Sequence, residues 1–279
     1  MAEKNYLAPA EIAEYVVDTA KVKAGSPAGK LLALGFMAGM WIAMGSSGST
    51  MIAHNLLMKP ETYGLGRALL GMIFGGGLML VVISGGELFT GNCLMIQGVI
   101  QKEITWQAML RNWGLVYLGN LLGSLFIAAL VVHTGAMSYS ANDLGGMTIR
   151  IAASKTSLGF TQALASGVLC NILVCATVWM SYGAKDVAGK VLVCFFLIWL
   201  FASSGFEHCV ANMYYIPAGL WAAATQPWLD AAMLSESYLT NLTWVNFALR
   251  NLVPVTLGNI IGGCGLTGCI YWYCYLRKA

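Results

Sequence analysis

The sequence predicts an all-α membrane protein whose six transmembrane helices form two inverted three-helix repeats. Three observations support this fold class: an apolar composition, six long uncharged segments, and a pair of motifs that occurs in both halves of the chain. Hydrophobic residues make up 58% of the chain and charged residues only 10%, which lies outside the usual range of soluble domains. The chain is therefore expected to lie in a lipid bilayer.

Each uncharged segment is long enough to cross a hydrocarbon core of about 30 Å, which needs about 20 residues in a helix. The segments are too long for the strands of an outer-membrane barrel and lack their alternation of polar and apolar residues. The predicted spans are Leu31–Ala53, Ala68–Gly86, Asn112–Val132, Thr156–Ala184, Val191–Phe206 and Asn251–Leu276.

Residues 1–29 precede the first span and are predicted to form an amphipathic helix on the cytoplasmic face. Glu11, Glu14, Asp18 and Lys21 recur at helical spacing, opposite Ile12, Tyr15 and Val16. The same acidic residues, together with the lack of an apolar core, argue against a cleavable signal peptide. Residues 30–279 are predicted to form the membrane domain, with its two repeats over about 30–133 and 156–276.

Lysine and arginine are divided unequally between the two ends of the predicted spans. Ten lie on the cytoplasmic side and five on the other if the N-terminus is cytoplasmic, which predicts both termini inside the plasma (inner) membrane. The ten are Lys4, Lys21, Lys23, Lys30, Lys102, Arg111, Lys185, Lys190, Arg277 and Lys278. The other five are Lys59, Arg67, Arg150, Lys155 and Arg250.

Two motifs recur in the same order in both halves. RNWGLVYLGNLLG from Arg111 and RNLVPVTLGNIIG from Arg250 share Arg-Asn, then Leu-Gly-Asn and a final Gly at identical spacing. Upstream, GGELFTGN from Gly85 matches GFEHCVAN from Gly205 in its Gly, Glu and Asn. Each repeat contains three spans, and an odd number of crossings inserts the second copy in the opposite direction. The repeat is therefore inverted.

The second and fifth spans are the equivalent helices, and both are interrupted by glycine and by a charged residue, Glu87 or Glu207. Interrupted helices in equivalent positions indicate a transport site near the bilayer midplane. Ser84-Gly85-Gly86 and Ser203-Ser204-Gly205 are predicted to be the hinges. The half-helix that follows each hinge begins with free amide groups, whose partial positive charge favours an anion. The expected cargo is small and negative.

Polar side chains near the breaks are the candidate site residues. His208 is interpreted either as a neutral histidine bonded inside the bundle or as a donor to a permeating anion, and its charge state stays open. Thr90 is a candidate hydroxyl donor to the same anion. Glu87 and Glu207 are predicted to accept hydrogen bonds from amides freed at the breaks. The intramembrane asparagines are expected to bond between helices: Asn92, Asn120, Asn171, Asn212 and Asn259.

Patterns typical of other functions are missing from the sequence. The eight cysteines form no Cys-x-x-Cys pair, and the three histidines are far apart, so we predict no metal and no cofactor. The sequence also lacks a phosphate-binding loop, a serine-nucleophile motif and a basic nucleic-acid patch. We predict a transport protein, neither an enzyme nor a partner of nucleic acid.

Taken together, the broken second and fifth spans with GGELFTGN and GFEHCVANMYYIP, and LGN in the third and sixth, resemble the formate/nitrite transporter family over nearly the whole chain. The resemblance implies an aquaporin-like protomer with its own pore, and a homopentamer. It also implies a small monovalent anion as cargo. Within the family the apolar residues are most similar to those of formate channels.

The resemblance also implies roles for individual residues. His208 matches the central pore histidine, Thr90 the threonine beneath it, Asn171 a polar neighbour, and Lys155 a lysine at the external mouth. The residues implied to form constrictions or apolar lining are Phe74, Leu78, Leu88, Phe89, Val174 and Phe201. Glu87, Glu207, Asn92 and Asn212 are expected to support the helix breaks.

Several functions stay open at this point. The cargo is expected to be formate, with nitrite or hydrosulfide as alternatives. His208 is expected either to hydrogen-bond the anion or to lend it a proton so that a weak acid passes as a neutral molecule. A different class of protein, the haem-binding membrane anchor of a redox enzyme, is an alternative, although His208 has no intramembrane partner histidine.

Overall fold

The computed structural model describes residues 5–277, which form helices joined by short turns. Six of these helices are long and apolar enough to cross a membrane, as predicted. They are Ala28–Leu57 (span 1), Pro60–Ile83 (span 2), Trp106–His133 (span 3), Phe160–Gly183 (span 4), Val187–Ser204 (span 5) and Trp244–Tyr275 (span 6). Lys4 and Lys278, two of the lysines assigned to the cytoplasmic side, lie outside the described residues.

Spans 2 and 5 both stop and restart, which confirms the predicted interruptions. Span 2 is followed by the first half-helix, Phe89–Ile100, and span 5 by the second half-helix, Cys209–Ala222. Between the parts, residues 84–88 and 205–208 have no helical geometry. Gly85 and Gly205 have φ angles of +87° and +79°, a left-handed conformation that favours glycine. A glycine therefore stands at the same place in each break.

Two asparagines bind the main chain freed at the breaks. Asn120 of span 3 accepts a hydrogen bond from the Phe89 amide at 3.0 Å and donates to the carbonyls of Gly35 and Glu87, each at 2.8 Å. Asn259 of span 6 accepts from the Cys209 amide at 3.0 Å and donates to the carbonyls of Gly167 and Glu207 at 2.7 and 3.1 Å. The same three bonds thus recur in the two halves, and they link each break to two spans.

Small residues let the spans approach closely around these bonds. A Cβ atom on Gly39 of span 1 would lie 2.1 Å from the Asn120 carbonyl oxygen, and one on Gly123 of span 3 would lie 2.0 Å from the Phe36 carbonyl oxygen. In the second half, a Cβ on Gly258 of span 6 would lie 2.2 Å from the Leu164 oxygen. Glycine at these positions is what permits close helix packing in the bundle.

The N-terminal helix, Pro9–Gly25, covers one end of the bundle. Its apolar face is buried: Ile12 packs against Gly183 at the end of span 4, and Ala20 packs against Gly98 of the first half-helix. Tyr15, also on the predicted apolar side, is half exposed and lies edge-on against Tyr182. The helix therefore lies against protein rather than only against the membrane surface.

Three further helices lie between the predicted spans. They are Asp143–Thr156, which precedes span 4, and the short helices Gln226–Ala232 and Glu236–Asn241 between the second half-helix and span 6. Span 4 consequently begins at Phe160, not at Thr156 as predicted. This boundary places Lys155 at the end of a helix that packs beside the second half-helix.

Replacement of Asn259 by alanine should destabilise the fold, because it leaves the Cys209 amide and the Glu207 carbonyl of the break without their partners at membrane depth. We expect a loss of roughly 1–3 kcal/mol for each unsatisfied group, and a similar loss for Asn120→Ala. The measurement is the thermal unfolding midpoint in detergent. Asn55→Ala, at an exposed asparagine, is the matched control. Equal midpoints for all three variants would contradict the role assigned to these two side chains.

Candidate functional site

Two cavities enter the bundle from opposite ends. The large vestibule has a volume of about 600 Å³ and reaches from Leu57 and Tyr63 down to Phe74, Phe201 and His208. The small vestibule has a volume of about 130 Å³ and lies at the end covered by the N-terminal helix; its walls include Lys23, Leu78, Leu88, Val178 and Tyr182. Phe206 to His208 line the large vestibule, and Gly85, Gly86 and Leu88 line the small one, so each cavity reaches one of the helix breaks.

Apolar side chains close the path between the vestibules. On the large-vestibule side, the rings of Phe74 and Phe201 meet edge to face with centroids 5.7 Å apart, and Phe201 lies 6.0 Å from the His208 ring. On the small-vestibule side the corresponding residues are Leu78, one helical turn beyond Phe74, and Leu88. Apolar constrictions of this kind disfavour a fully hydrated ion.

A polar pair lies between the two apolar layers. His208 Nε2 and Thr90 Oγ1 are 2.8 Å apart, and both residues are buried. His208 Nδ1 accepts a hydrogen bond from the Ala211 amide at 3.0 Å, so this nitrogen carries a lone pair and the imidazole proton lies on Nε2. Nε2–H therefore donates to Thr90, whose own hydroxyl hydrogen stays available to another acceptor.

The ring of His208 also caps the second half-helix, because the Ala211 amide belongs to the first turn of that helix. Thr90 lies in the first turn of the first half-helix. The amino ends of the two half-helices thus meet at the His208–Thr90 pair. Both ends carry partial positive charge, which makes this point favourable for an anion.

Neighbouring side chains fix the position of Thr90. The Thr90 carbonyl accepts a hydrogen bond from Asn171 Nδ2 at 3.2 Å and from Cys175 Sγ at 3.3 Å. Asn171 also donates to the Asn259 carbonyl at 2.7 Å. The predicted polar neighbour, Asn171, therefore contacts the main chain of the site rather than lining either vestibule.

A lysine–glutamate pair stands beside each break. Lys23 donates to both carboxylate oxygens of Glu87 at 2.9 and 2.8 Å, and Lys155 donates to Glu207 Oε1 at 2.8 Å. The amides of Asn92 and Asn212 donate to the same carboxylates. These asparagines also donate to the side-chain oxygens of two residues in the repeated Arg-Asn motif, Asn112 and Asn251.

These contacts correct one expectation. Glu87 and Glu207 support the breaks, but their carboxylates bind lysine and asparagine side chains and not the freed main-chain amides. The Phe89 and Cys209 amides go to Asn120 and Asn259 instead. A carboxylate at membrane depth is costly unless it is paired, and each glutamate has its partner in a lysine.

The two lysines differ in how fully they are engaged. Lys23 has three acceptors, because it also donates to Asn92 Oδ1 at 2.7 Å. Lys155 donates to one carboxylate oxygen and lies 5.4 Å from the centre of the Tyr215 ring. An ammonium group has three donors, so Lys155 has the greater capacity to attract a further anion.

Four of the six predicted constriction residues line a vestibule, and Phe89 and Val174 do not. Phe74 and Phe201 line the large vestibule and Leu78 and Leu88 line the small one. The ring of Phe89 packs instead against Trp113 and Tyr117 of span 3, with centroids 5.6 and 5.0 Å apart. Val174 is buried one helical turn before Val178, which lines the small vestibule.

Other residues of the site were not singled out from the sequence. Arg67 and Arg150 line the large vestibule beside Lys155, and all three belong to the five basic residues assigned to that end. Lys23, from the N-terminal helix, lines the small vestibule. The charge count could have pointed to Arg67, since it directly precedes the uncharged segment Ala68–Gly86.

The three histidines lie apart and have local partners. His54 contacts the Met51 carbonyl and Ser140, and His133 contacts the Ala129 carbonyl. Among residues 5–277, no group of three histidine, cysteine or acidic side chains is placed to hold a metal ion. The two ring nitrogens of His208 are bonded to Thr90 and Ala211, so this geometry gives no support to a haem-binding anchor.

The fold and the site define a class of protein: a multi-pass helical membrane protein with a polar centre between two vestibules. The sequence profile of the formate/nitrite transporter family matches residues 10–273. The chain is 38% identical over 270 residues to the formate channel FocA of Haemophilus influenzae, with 96% of this chain and 94% of the relative covered. It is 36% identical over 288 residues to the probable formate transporter of Methanothermobacter thermautotrophicus, with 98% of this chain and 99% of the relative covered.

Solved structures agree with these relatives. A pentameric formate channel with formate bound matches with a TM-score of 0.78 at 36% identity, covering 90% of this chain and 98% of that one. An ion channel of the same family matches with a TM-score of 0.76 at 30% identity, covering 94% of this chain and 96% of that one. The chain belongs to the formate/nitrite transporter family. Its relatives are channels and transporters, and they give no support to a redox-enzyme anchor.

The Lys155–Glu207 pair can be tested by a double-mutant cycle. Lys155→Met should destabilise the protein by roughly 3 kcal/mol, because it leaves a largely buried carboxylate without its counter-ion. Lys155→Met combined with Glu207→Gln should recover much of that loss. Thermal unfolding midpoints in detergent are the measurement. Lys21→Met, at an exposed pair with Asp18, serves as the control and should change stability by less than about 1 kcal/mol. Additive effects in the cycle would contradict the pairing.

Proposed function

We propose that the protein is a channel for small monovalent anions and that formate is its principal cargo. The observation that carries this proposal is the His208–Thr90 pair, which offers hydrogen-bond donors between two apolar layers at the meeting point of two half-helix amino ends. The relatives named as formate channels support the choice of formate.

Entry through the large vestibule is favoured by its basic residues, Arg67, Arg150 and Lys155. The anion then passes the Phe74–Phe201 contact, where it loses most of its water. At the centre the Thr90 hydroxyl donates to a carboxylate oxygen while His208 Nε2–H holds the threonine oxygen. The centre carries no full charge, so the anion is held weakly enough to leave.

His208 acts in this proposal as a neutral hydrogen-bond donor. The bond from the Ala211 amide to Nδ1 supports the neutral form, because an imidazolium would set two N–H donors against each other at that position. The other role considered, lending a proton to the anion, would require this bond to open. The hydrogen-bond role is therefore the one we propose.

The assembly and the location belong to the same proposal. We place the protein in the plasma (inner) membrane as a homopentamer with both termini in the cytoplasm, and assign residues 1–29 to a cytoplasmic helix and 30–279 to the channel domain. Large apolar side chains stay exposed at every turn along one side of span 3, which suits contact with lipid or with another copy: Leu118, Leu122, Phe126 and Leu130. Crosslinking and native mass measurement test the number of copies.

Formate flux into proteoliposomes tests the role of the polar pair. His208→Asn keeps an acceptor at the cap of the second half-helix, but its shorter side chain no longer places an N–H donor on Thr90. We expect roughly a tenfold loss of flux, the effect of about 1.4 kcal/mol. Thr90→Val should lower the formate flux by a similar factor, and Thr90→Ser should retain the flux.

The loss of flux in His208→Asn should be the same at about pH 7 and about pH 5, because the histidine of the wild-type protein stays neutral. A loss seen only at the higher pH would favour the proton-lending role.

The choice of anion is tested by competition. Unlabelled formate, nitrite and hydrosulfide are added in turn to vesicles that take up labelled formate. Formate should compete best, because the donors at the centre match a carboxylate and the relatives carry formate in their names. Stronger competition by nitrite would make nitrite the principal cargo of the same channel.

A further inference from the structure

The floor of the large vestibule contains a feature that is unfavourable for an anion. Span 5 ends there, and the walls include its last residues, Ala202, Ser203 and Ser204, followed by Gly205. The last carbonyl groups of a helix have no partner within the helix and carry the partial negative charge of its carboxyl end. An anion on its way to His208 passes these carbonyls.

Arg67 of span 2 binds this helix end. Its Nη2 donates to the Ala202 carbonyl at 2.6 Å and its Nε donates to the Ser203 carbonyl at 3.2 Å. The guanidinium also lies against the break, since a Cβ atom on Gly205 would be 2.8 Å from Nη2. A guanidinium group has five N–H donors, so these two bonds leave further donors for a ligand. Arg67 is itself part of the vestibule wall.

The other half of the repeat has no arginine in this position. When the two repeats are aligned on Glu87 and Glu207, Arg67 corresponds to Val187, an exposed apolar residue at the start of span 5. The small vestibule has Lys23 in its wall, but that ammonium group already has three acceptors. The walls of the two vestibules therefore differ in the positive charge that they offer to an anion.

We infer that Arg67 makes the large vestibule the higher-affinity entrance for anions. It masks the carboxyl end of span 5 and places a full positive charge above the Phe74–Phe201 contact. The inference rests on the proposed function, because it concerns the entry of the anion that the channel carries. Arg67 acts on entry from one side, whereas His208 and Thr90 act on passage from either side.

A structural role for Arg67 makes a different prediction. Spans 2 and 5 are also joined by the Ser203 hydroxyl, which donates to the Arg67 carbonyl at 3.2 Å, and by Trp199 Nε1, which donates to the Ala68 carbonyl at 2.8 Å. Neither bond uses the Arg67 side chain, so substitution of that side chain leaves both in place. A purely structural Arg67 would affect entry from both sides equally.

Sided flux measurements separate these roles. Proteoliposomes carrying an N-terminal tag are divided by affinity resin into a bound pool, with the small vestibule outside, and an unbound pool, with the large vestibule outside. Arg67→Gln should raise the half-saturating formate concentration roughly three- to tenfold in the unbound pool and less than about twofold in the bound pool. Arg67→Lys, which keeps the charge, should restore most of the affinity. Arg250→Gln, which removes a positive charge outside the vestibule wall, is the matched control and should leave both pools unchanged.

A second measurement uses the wild-type protein and does not depend on how the variant folds. Raising the concentration of an impermeant salt from about 0.01 M to about 0.15 M shortens the Debye length from about 30 Å to about 8 Å. The half-saturating concentration should rise more in the unbound pool. Equal responses of the two pools to the salt and to Arg67→Gln would overturn the inference. Wild-type vesicles without formate flux would overturn the proposed function itself, and the inference with it.

Discussion

Every peptide group at membrane depth needs a hydrogen-bond partner, and the rest of this structure depends on how that need is met at the two helix breaks. Water is not available in the hydrocarbon region, so a break survives only if protein supplies the partners. Asn120 and Asn259 do so, each with one acceptor and two donor contacts to main chain. Because these bonds fix the start of both half-helices, they also fix where Thr90 and His208 meet.

Charge is distributed around this framework in matched pairs. A buried carboxylate is costly alone, and Glu87 and Glu207 each lie beside a lysine and an asparagine amide. Each break is thus stabilised by the same kind of ion pair, one on each side of the bundle. What distinguishes the ends is two polar side chains that have apolar counterparts in the other repeat: Arg67 corresponds to Val187, and His208 corresponds to Leu88.

Much of this arrangement could be predicted from the sequence, because its causes are local or repeated. Long uncharged runs gave the spans, and the two motif pairs gave the inverted repeat and the breaks. The pairing of Lys23 with Glu87 could not be found in this way, since it joins residues distant in sequence and depends on how the N-terminal helix docks. The position of the Phe89 ring could not be predicted for the same reason. The rotation of the first half-helix about its own axis decides which side chains face the path, and it turns Phe89 toward Trp113.

The boundary of span 4 was misplaced for a related reason. No charged residue lies between Lys155 and Phe160 to mark where span 4 begins, and the helix Asp143–Thr156 packs on the bundle outside the spans. Periodicity cannot separate a helix that crosses the bilayer from one that lies against other helices near its surface. The docking of this helix is what brings Lys155 to Glu207.

His208 has two roles at once: it caps the second half-helix, and it contacts the hydroxyl at the centre of the path. One nitrogen of the ring holds the start of a helix and the other holds the hydroxyl at the centre of the path. A change of side chain here alters folding stability and transport in the same step. Evolution toward a new cargo is therefore freer at the apolar layers, where Phe74, Leu78 and Phe201 can change size without loss of a main-chain bond.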